Sequence, residues 1–314
     1  MTDSSQHQKH QATISTTDSL ADAPVGTTIA VSFHDVDRVQ AQAAPSSVNN
    51  WEYFNGALLA VCFQYGNHHT VEGTAVMIGV GLALSAKHVF DEHCDALAAG
   101  EAVMFCFGLR PNGVLDIWHC YRMMTHNSGE FGDLELLSLT LVSDMPADHH
   151  FSLLSLTTRK PQPGEPVTVV GFRFEDSASR DSVHDPVAMA GQMYLSQGAA
   201  GAFSYPIHDS VLAPYPTIEI FSGSLGGMSG GAVFDVNGHV VGITSLGLQG
   251  DDQQGPTLAA WWMSAYFWRP EPTWPAGLYQ AGAAISEMPE LVRIVGREHV
   301  QVLNEPQFAL ADWK

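Results

Sequence analysis

From Gly56 onward the chain is written in short apolar runs rich in β-branched and aromatic residues, each closed by polar or glycine-bearing turns: ALLAVCFQY, GTAVMIGVGLALSA, AVMFCFGL, VLDIWHCYRMM and LELLSLTL. No long segment keeps a 3.6-residue apolar period, so the pattern predicts many short strands closed into a barrel or sandwich. After TRKPQPGEP, a Pro/Gly-rich break at 158–166, the texture resumes with VTVVGFRF, AGQMYLSQG, TIEIFSG, GAVFDV and HVVGITSLG. Two β units of similar size flank that break. The expected organisation is a flexible N-terminal extension over 1–50, a first β-barrel over 51–157, and a second over 158–314 that carries an aromatic-rich C-terminal extension. The extension, rich in Ser, Thr, Gln, Asp and Ala, carries His7, His10 and His34 without a strand pattern and is read as mobile or partly draped.

Within the second unit, Asn237-Gly238 is a hairpin signal of the type I′ kind, because both central residues of that turn need positive φ. It makes GGAVFD and HVVGITS antiparallel neighbours. Just before that hairpin, Gly226-Gly227-Met228-Ser229-Gly230-Gly231 sets one serine among four glycines. Glycine is used where the chain takes unusual dihedrals or something approaches the backbone closely. The loop therefore suits either a plain turn or an exposed hydroxyl ringed by bare N–H groups.

Composition narrows the function classes. A hydrophobic content of 45% against 15% charged residues excludes disorder over the whole length. The formal net charge of −20, from 33 acidic and 13 basic residues, disfavours a phosphate backbone as partner, since such binding rests on Lys/Arg neutralisation. The N-terminus lacks a basic-then-apolar leader and no apolar run is long enough to span a bilayer, so neither secretion nor a membrane partner is expected. Cys62, Cys94, Cys106 and Cys120 lack the dense spacing of a disulfide scaffold and read as reduced thiols in a cytoplasmic protein. His93-Cys94, Cys106 and His119-Cys120 lack a Cys-x-x-Cys pair, and buried small hydrophobes are preferred to a zinc site. No metal and no cofactor is expected.

A serine hydroxyl is a poor nucleophile unless a base takes its proton and a third group orients the base. GLALSAKHVFDEH supplies His88 directly after a strand ending in small residues, and GEFGDLELLSL supplies Asp133 directly before an apolar strand, with Asp116 in LDIW as its rival. Here the residues carry a resemblance. SAKHV is similar to the Thr/Ser-Ala-Ala-His segment of trypsin-like (chymotrypsin-fold) serine peptidases, DLELL looks like their Asp-bearing strand, and GMSGGAV resembles their Gly-x-Ser-Gly-Gly-Pro loop. The order His, Asp, Ser agrees, and the likeness is to the bacterial-type domain over residues 55–250.

That resemblance implies two six-stranded-type antiparallel β-barrels with the active site between them; separately, Ser286 as cap and Glu290 at a helical position predict a short C-terminal helix near 286–296. The resemblance implies a serine endopeptidase that makes an acyl-enzyme, with His88 as base then acid, Asp133 as its orienter and Ser229 as nucleophile. The N–H groups of Gly227 and Ser229 would form the oxyanion hole. Gly223 and Ser224 on one side, and Ser245, Leu246 and Gly247 on the other, would bound the substrate pocket. These bring no fixed charge, which favours an apolar residue before the cleaved bond; the competing reading is that Asp251 or Asp252 selects Lys or Arg. The partner is a protein or peptide substrate, and the segment after 250 is read as packing on the second barrel or as a lid or surface for a regulatory partner. A catalytically silent peptide-binding pseudopeptidase and an esterase with the same triad are the alternatives. Three departures stand out: Met228 where many digestive members carry an acid that pairs with a new N-terminus, Ala232 for the usual proline, and Lys87 for a small residue. Lys87 would lower the His88 pKa if it pointed inward. The pairs His68-His69 and His149-His150 are read as solvated surface.

Overall fold

The computed structural model of the protein describes residues 10–15, 28–34, 36, 42–48, 51–123, 132–145, 149–174, 178–179, 191–248, 255–305 and 307–311. Its frame is two closed rings of six antiparallel strands. The first uses β1 (Leu58–Tyr65), β2 (His68–Gly79), β3 (Leu82–Ser85), β4 (Val103–Leu109), β5 (Leu115–Arg122) and β6 (Glu135–Leu141). The second uses β7 (Pro166–Phe174), β8 (Gly191–Ser204), β9 (Thr217–Ile220), β10 (Ala232–Phe234), β11 (Val240–Gly247) and β12 (Thr257–Trp261). Hydrogen-bonded neighbours run β1-β2-β3-β6-β5-β4 and back to β1 in one ring, and β7-β8-β9-β12-β11-β10 and back to β7 in the other. The two rings thus share one connectivity, and closure gives every strand a neighbour on both sides, with β11 running past the last residue of its β10 partner at Ser245–Gly247.

Side chains of period two fill each barrel. Along β4 and β5, Met104, Cys106, Asp116, Trp118 and Cys120 are buried while their neighbours are half-buried or exposed, as a pleated strand with one inward face requires. Cys62, Cys106 and Cys120 are free thiols in this interior, whereas the free Cys94 lies half-buried beside Arg122. His93 stacks on Phe63, and His119 lies tilted against Phe105.

Three elements differ from the sequence reading. Three stretches within residues 1–50 are strands: Thr28–His34 pairs in parallel with His150–Leu154 and antiparallel with His10–Ser15, and Ser46–Val48 joins β8. Ile29, Val31, Phe33 and Val36 are buried. The run TIAVSFH does alternate, but it is one short run amid polar sequence, and its partner HFSLL lies far along the chain. The hairpin after β10 is also of another kind. Asn237 does not adopt positive φ; Gly238 does (+78°), its N–H donates to Asp235 O at 3.1 Å, and the Asp235 N–H donates to His239 O at 2.9 Å, which makes a three-residue loop with a glycine bulge. The Asp235 carboxylate, which accepts from the N–H of Asn237 and His239, holds this shape. The antiparallel pairing itself is as expected, with Ala232 opposite Ile243.

The short C-terminal helix is a 3₁₀ turn, Ile285–Glu287, in which Glu287 Oε2 accepts from the Ala284 N–H at 2.7 Å, so Ser286 is not the cap. The aromatic segment ahead of it crosses to the first barrel: Trp274 packs on Trp118 and Phe151, Thr273 bonds Ser138, and Tyr279 O–H donates to Val80 O. Gly81 (φ +75°) is needed there, because a Cβ would fall 2.0 Å from the Trp274 carbonyl. No helix among the described residues is long and apolar enough to cross a membrane.

Candidate active site

His88 opens the four-residue helix His88–Asp91 just beyond β3, and the buried Val89 and Phe90 anchor that turn. Asp133 precedes β6. Its carboxylate grips His88 at two points: Oδ1 accepts the backbone N–H at 2.9 Å and Oδ2 pairs with Nδ1 at 2.7 Å. With Nδ1 donating to the acid, Nε2 is left as the basic nitrogen. The acid side chain is 9% exposed and the imidazole 47%, so the ring presents its free edge to solvent while its orienter is covered. Desolvation is the largest influence on His88 and lowers its pKa. The Asp133 hydrogen bond and the charges of Asp133, Asp91 and Glu92 together outweigh it, and the pKa ends above its ordinary value of 6.5. Lys87 does not point inward: its ammonium pairs with Asp91 at 2.7 Å on the exposed side.

A relay missing from the sequence reading stands behind Asp133. Ser245 Oγ donates to Asp133 Oδ2 at 2.5 Å, and Tyr215 O–H lies 2.6 Å from Ser245 Oγ. Because the serine proton is committed to the acid, the tyrosine is the donor in the second bond. Burial first, then the Asp133 charge, pushes the Tyr215 phenol up to about 12, so it stays a donor. Ser245, expected on the pocket wall, lines the cleft beside His88 and also supports the acid. Leu246 lines the same cleft, a cavity of about 490 Å³ that it shares with Leu212, Pro214 and Tyr215. Gly223 and Ser224 are buried; the Gly223 N–H donates to Ala43 O and its carbonyl accepts from Ser196 Oγ. Gly247 ends β11 opposite Thr257. Asp251 and Asp252 lie outside the described residues.

Ser229 sits where the second barrel meets the first. Its carbonyl accepts the Thr74 N–H of β2 at 2.8 Å, and Gly230 packs so closely on Ser85 and Ala86 that a Cβ there would lie 2.3 Å from Ser85 Oγ. Gly227 (φ +91°) and Gly230 (φ +83°) take left-handed backbone that no other residue adopts freely. The N–H groups of Met228, Gly230 and Gly231 donate to Leu225, Thr244 and Met228 carbonyls. Among the described residues no hydrogen bond is made by the N–H of Gly227 or Ser229, and none joins Ser229 Oγ to His88. Met228 is fully buried, and its thioether accepts the Leu225 N–H at 3.3 Å.

The rival acid is elsewhere. Asp116 is buried among Arg110 and His149, at 3.8 and 3.7 Å, and desolvation, opposed by Arg110, raises its pKa to about 6. His69 and His149 are buried rather than solvated, because β2 and the strand His150–Leu154 carry them under neighbouring chain.

Among solved structures the chain is similar to the HtrA-type protease AlgW with tripeptide (TM-score 0.41, 18% identity over 66% of this chain and 56% of that one). It is also similar to Deg5 (TM-score 0.40, 11% identity over 61% of this chain and 80% of that one). The chain thus spans little more than half the length of the first. No curated protein matches it. Residues 73–243, from the strand that meets Ser229 to the strand that pairs with β10, match the model of the trypsin-like peptidase domain. That stretch is more than half of the sequence, and the chain belongs to this family.

Proposed function

We propose that the protein is a serine endopeptidase working through His88, Asp133 and Ser229. The observation that carries the reading is the two-point grip of a buried carboxylate on a half-exposed imidazole. A packing role would bury the ring; this arrangement fixes its tautomer and leaves Nε2 at the cleft. In the proposed cycle Nε2 takes the Ser229 proton as Oγ attacks the substrate carbonyl carbon, and the Gly227 and Ser229 N–H groups receive the developing oxyanion. His88 then gives that proton to the leaving amine. A water repeats the sequence and releases the acid. Preorganised donors of this kind contribute about 2.7–4 kcal/mol each to acyl transfer. No step requires a metal or a cofactor.

The edge Ser245–Gly247 suits an extended peptide backbone, and the uncharged Gly223, Ser224 and Leu246 suit an apolar side chain before the cleaved bond. Four free thiols are in keeping with a reducing, cytoplasmic setting. A pseudopeptidase is the second reading, favoured by the missing Ser229–His88 hydrogen bond; in substrate-free enzymes that bond is often long and tightens on binding. A fluorophosphonate separates the two: it labels Ser229 in the native chain and not in Ser229→Ala, and that variant, folded as before, loses peptide hydrolysis by about 10⁴-fold or more. A native chain that stays unlabelled and inert is the pseudopeptidase.

A further inference from the structure

Thr74 lies on β2 of the first barrel, wholly buried, and its three polar atoms make four hydrogen bonds at and beside the junction with the serine loop. Its N–H donates to Ser229 O at 2.8 Å, and its carbonyl accepts Ser85 Oγ at 2.6 Å. Its hydroxyl accepts the Phe172 N–H of β7 at 2.8 Å and faces Gly227 O at 3.2 Å. A carbonyl only accepts, so the hydroxyl proton goes to Gly227. One side chain thus ties the first barrel to β7 and to the loop that carries Ser229.

We propose that Thr74 is a positioning residue for the oxyanion donors. The inference rests on the peptidase reading and assigns this residue a part in it. The two donor N–H groups belong to the peptide planes 226–227 and 228–229. Thr74 pins the planes beside them: its hydroxyl fixes the Gly227 carbonyl, hence plane 227–228, and its N–H fixes the Ser229 carbonyl, hence plane 229–230. Gly227 needs such a clamp, because a glycine at φ +91° has other backbone basins open to it at little cost. The Met228 N–H holds plane 227–228 from one side by donating to Leu225 O at 3.0 Å, and the Thr74 hydroxyl grips the carbonyl on its other side, the one bond on this plane that comes from the first barrel. Any residue at 74 supplies the N–H bond; only a hydroxyl-bearing side chain supplies the bridge from Phe172 to Gly227. Substitution of the side chain therefore isolates the second.

The test compares Thr74→Val, Thr74→Ala and Thr74→Ser with the native enzyme on one chromogenic peptide amide, each corrected for active sites by fluorophosphonate titration and assayed well below its melting temperature. Thr74→Val keeps the shape and loses the hydroxyl. Thr74→Ala leaves room for a water on the Phe172 N–H and serves if the valine variant does not fold. The expected result is a kcat lower by about 10²-fold, the lower end for a lost oxyanion donor, with KM changed by less than about threefold. The acid limb of the pH profile should not move, because the His88–Asp133 pair is untouched. Thr74→Ser should recover kcat to within about threefold of native. A hydroxyl-less variant that is folded and keeps native kcat overturns the inference, as does one whose loss lies wholly in KM or one that Ser fails to rescue. If the native chain neither labels nor turns over, the peptidase reading fails and takes the inference with it; a labelled, active native chain with an indifferent Thr74 refutes the inference alone.

Discussion

Asp133→Asn probes the acid in isolation. The native carboxylate offers acceptors in both directions: Oδ1 to the His88 N–H, and Oδ2 to His88 Nδ1 and Ser245 Oγ. An amide has one acceptor and one donor. If its oxygen stays on the His88 backbone N–H, its NH₂ faces Nδ1, which must then accept, and the ring proton moves to Nε2, where it blocks the base. The flipped amide sets NH₂ against the backbone N–H, donor against donor, so the first orientation prevails. Ser245 can reverse and accept from the amide, which keeps the fold satisfied while the tautomer is wrong. An orienting acid lost in this way costs about 10⁴-fold in kcat, or about 5.4 kcal/mol of barrier. The variant also loses the interactions that raise the His88 pKa, so whatever acid limb survives shifts to lower pH. Steady-state kinetics from pH 5 to 9, with the melting temperature as control, measure both. Asp116→Asn should leave kcat unchanged, since Asp116 faces Arg110 and His149. A loss below about tenfold in Asp133→Asn, or an equal loss in Asp116→Asn, would refute the assignment.

In the native enzyme kcat/KM should fall as pH drops through one ionisation whose midpoint lies above 6.5, because His88 must be neutral to act and its pKa is raised; a midpoint clearly below 6.5 contradicts this. Phe33→Ala should destabilise the fold by about 3–5 kcal/mol, seen as a lower urea midpoint, because Phe33 is buried opposite Leu153 in the N-terminal strand pair; an unchanged midpoint would mean the strand is undocked in solution. Peptides differing only in Leu, Ala, Arg or Glu before the cleaved bond should rank with the apolar residues first, and a strong Arg preference lost in Asp251→Asn or Asp252→Asn would reverse the pocket assignment.

Eleven of the twelve barrel strands were legible because each is a local signal, a short β-branched run with one inward face, ended by a turn; the twelfth, Thr257–Trp261, was read as part of the aromatic C-terminal extension. The strand-end positions of the proposed site residues His88, Asp133 and Ser229 were legible for a related reason, since the neighbours of each carry the pattern. What escaped notice depends on partners distant in sequence. Tyr215 reaches Ser245, Ser245 reaches Asp133 and Thr74 reaches Gly227 through bonds that no spacing rule encodes. The N-terminal strand Thr28–His34 was missed likewise, its burial resting on His150–Leu154. Tryptophans and tyrosines after residue 261 announced a buried surface but not which one, and Trp274 and Tyr279 settle on the first barrel.

Met228 shows how this chain can shape its serine loop without an ion pair. An acid at that place needs a buried cation to offset its desolvation, and burying the two charges brings little net stability. A methionine needs no such partner. Its side chain fills the space under the loop, its backbone lies against Gly171 so tightly that a Cβ there would meet Met228 Cα at 2.7 Å, and its sulfur takes up the Leu225 N–H. The polar work passes to neutral groups of the other barrel, the Thr74 N–H and hydroxyl. Loop shape in this protein therefore depends on how the two barrels are docked, and the C-terminal segment from Thr273 to Tyr279, bonded to Ser138 and Val80, helps to hold that docking. Changes at that seam should alter kcat through the loop and through the Ser245–Asp133 bond, which also crosses between the barrels, while the bonds that join His88 to Asp133 lie within the first barrel.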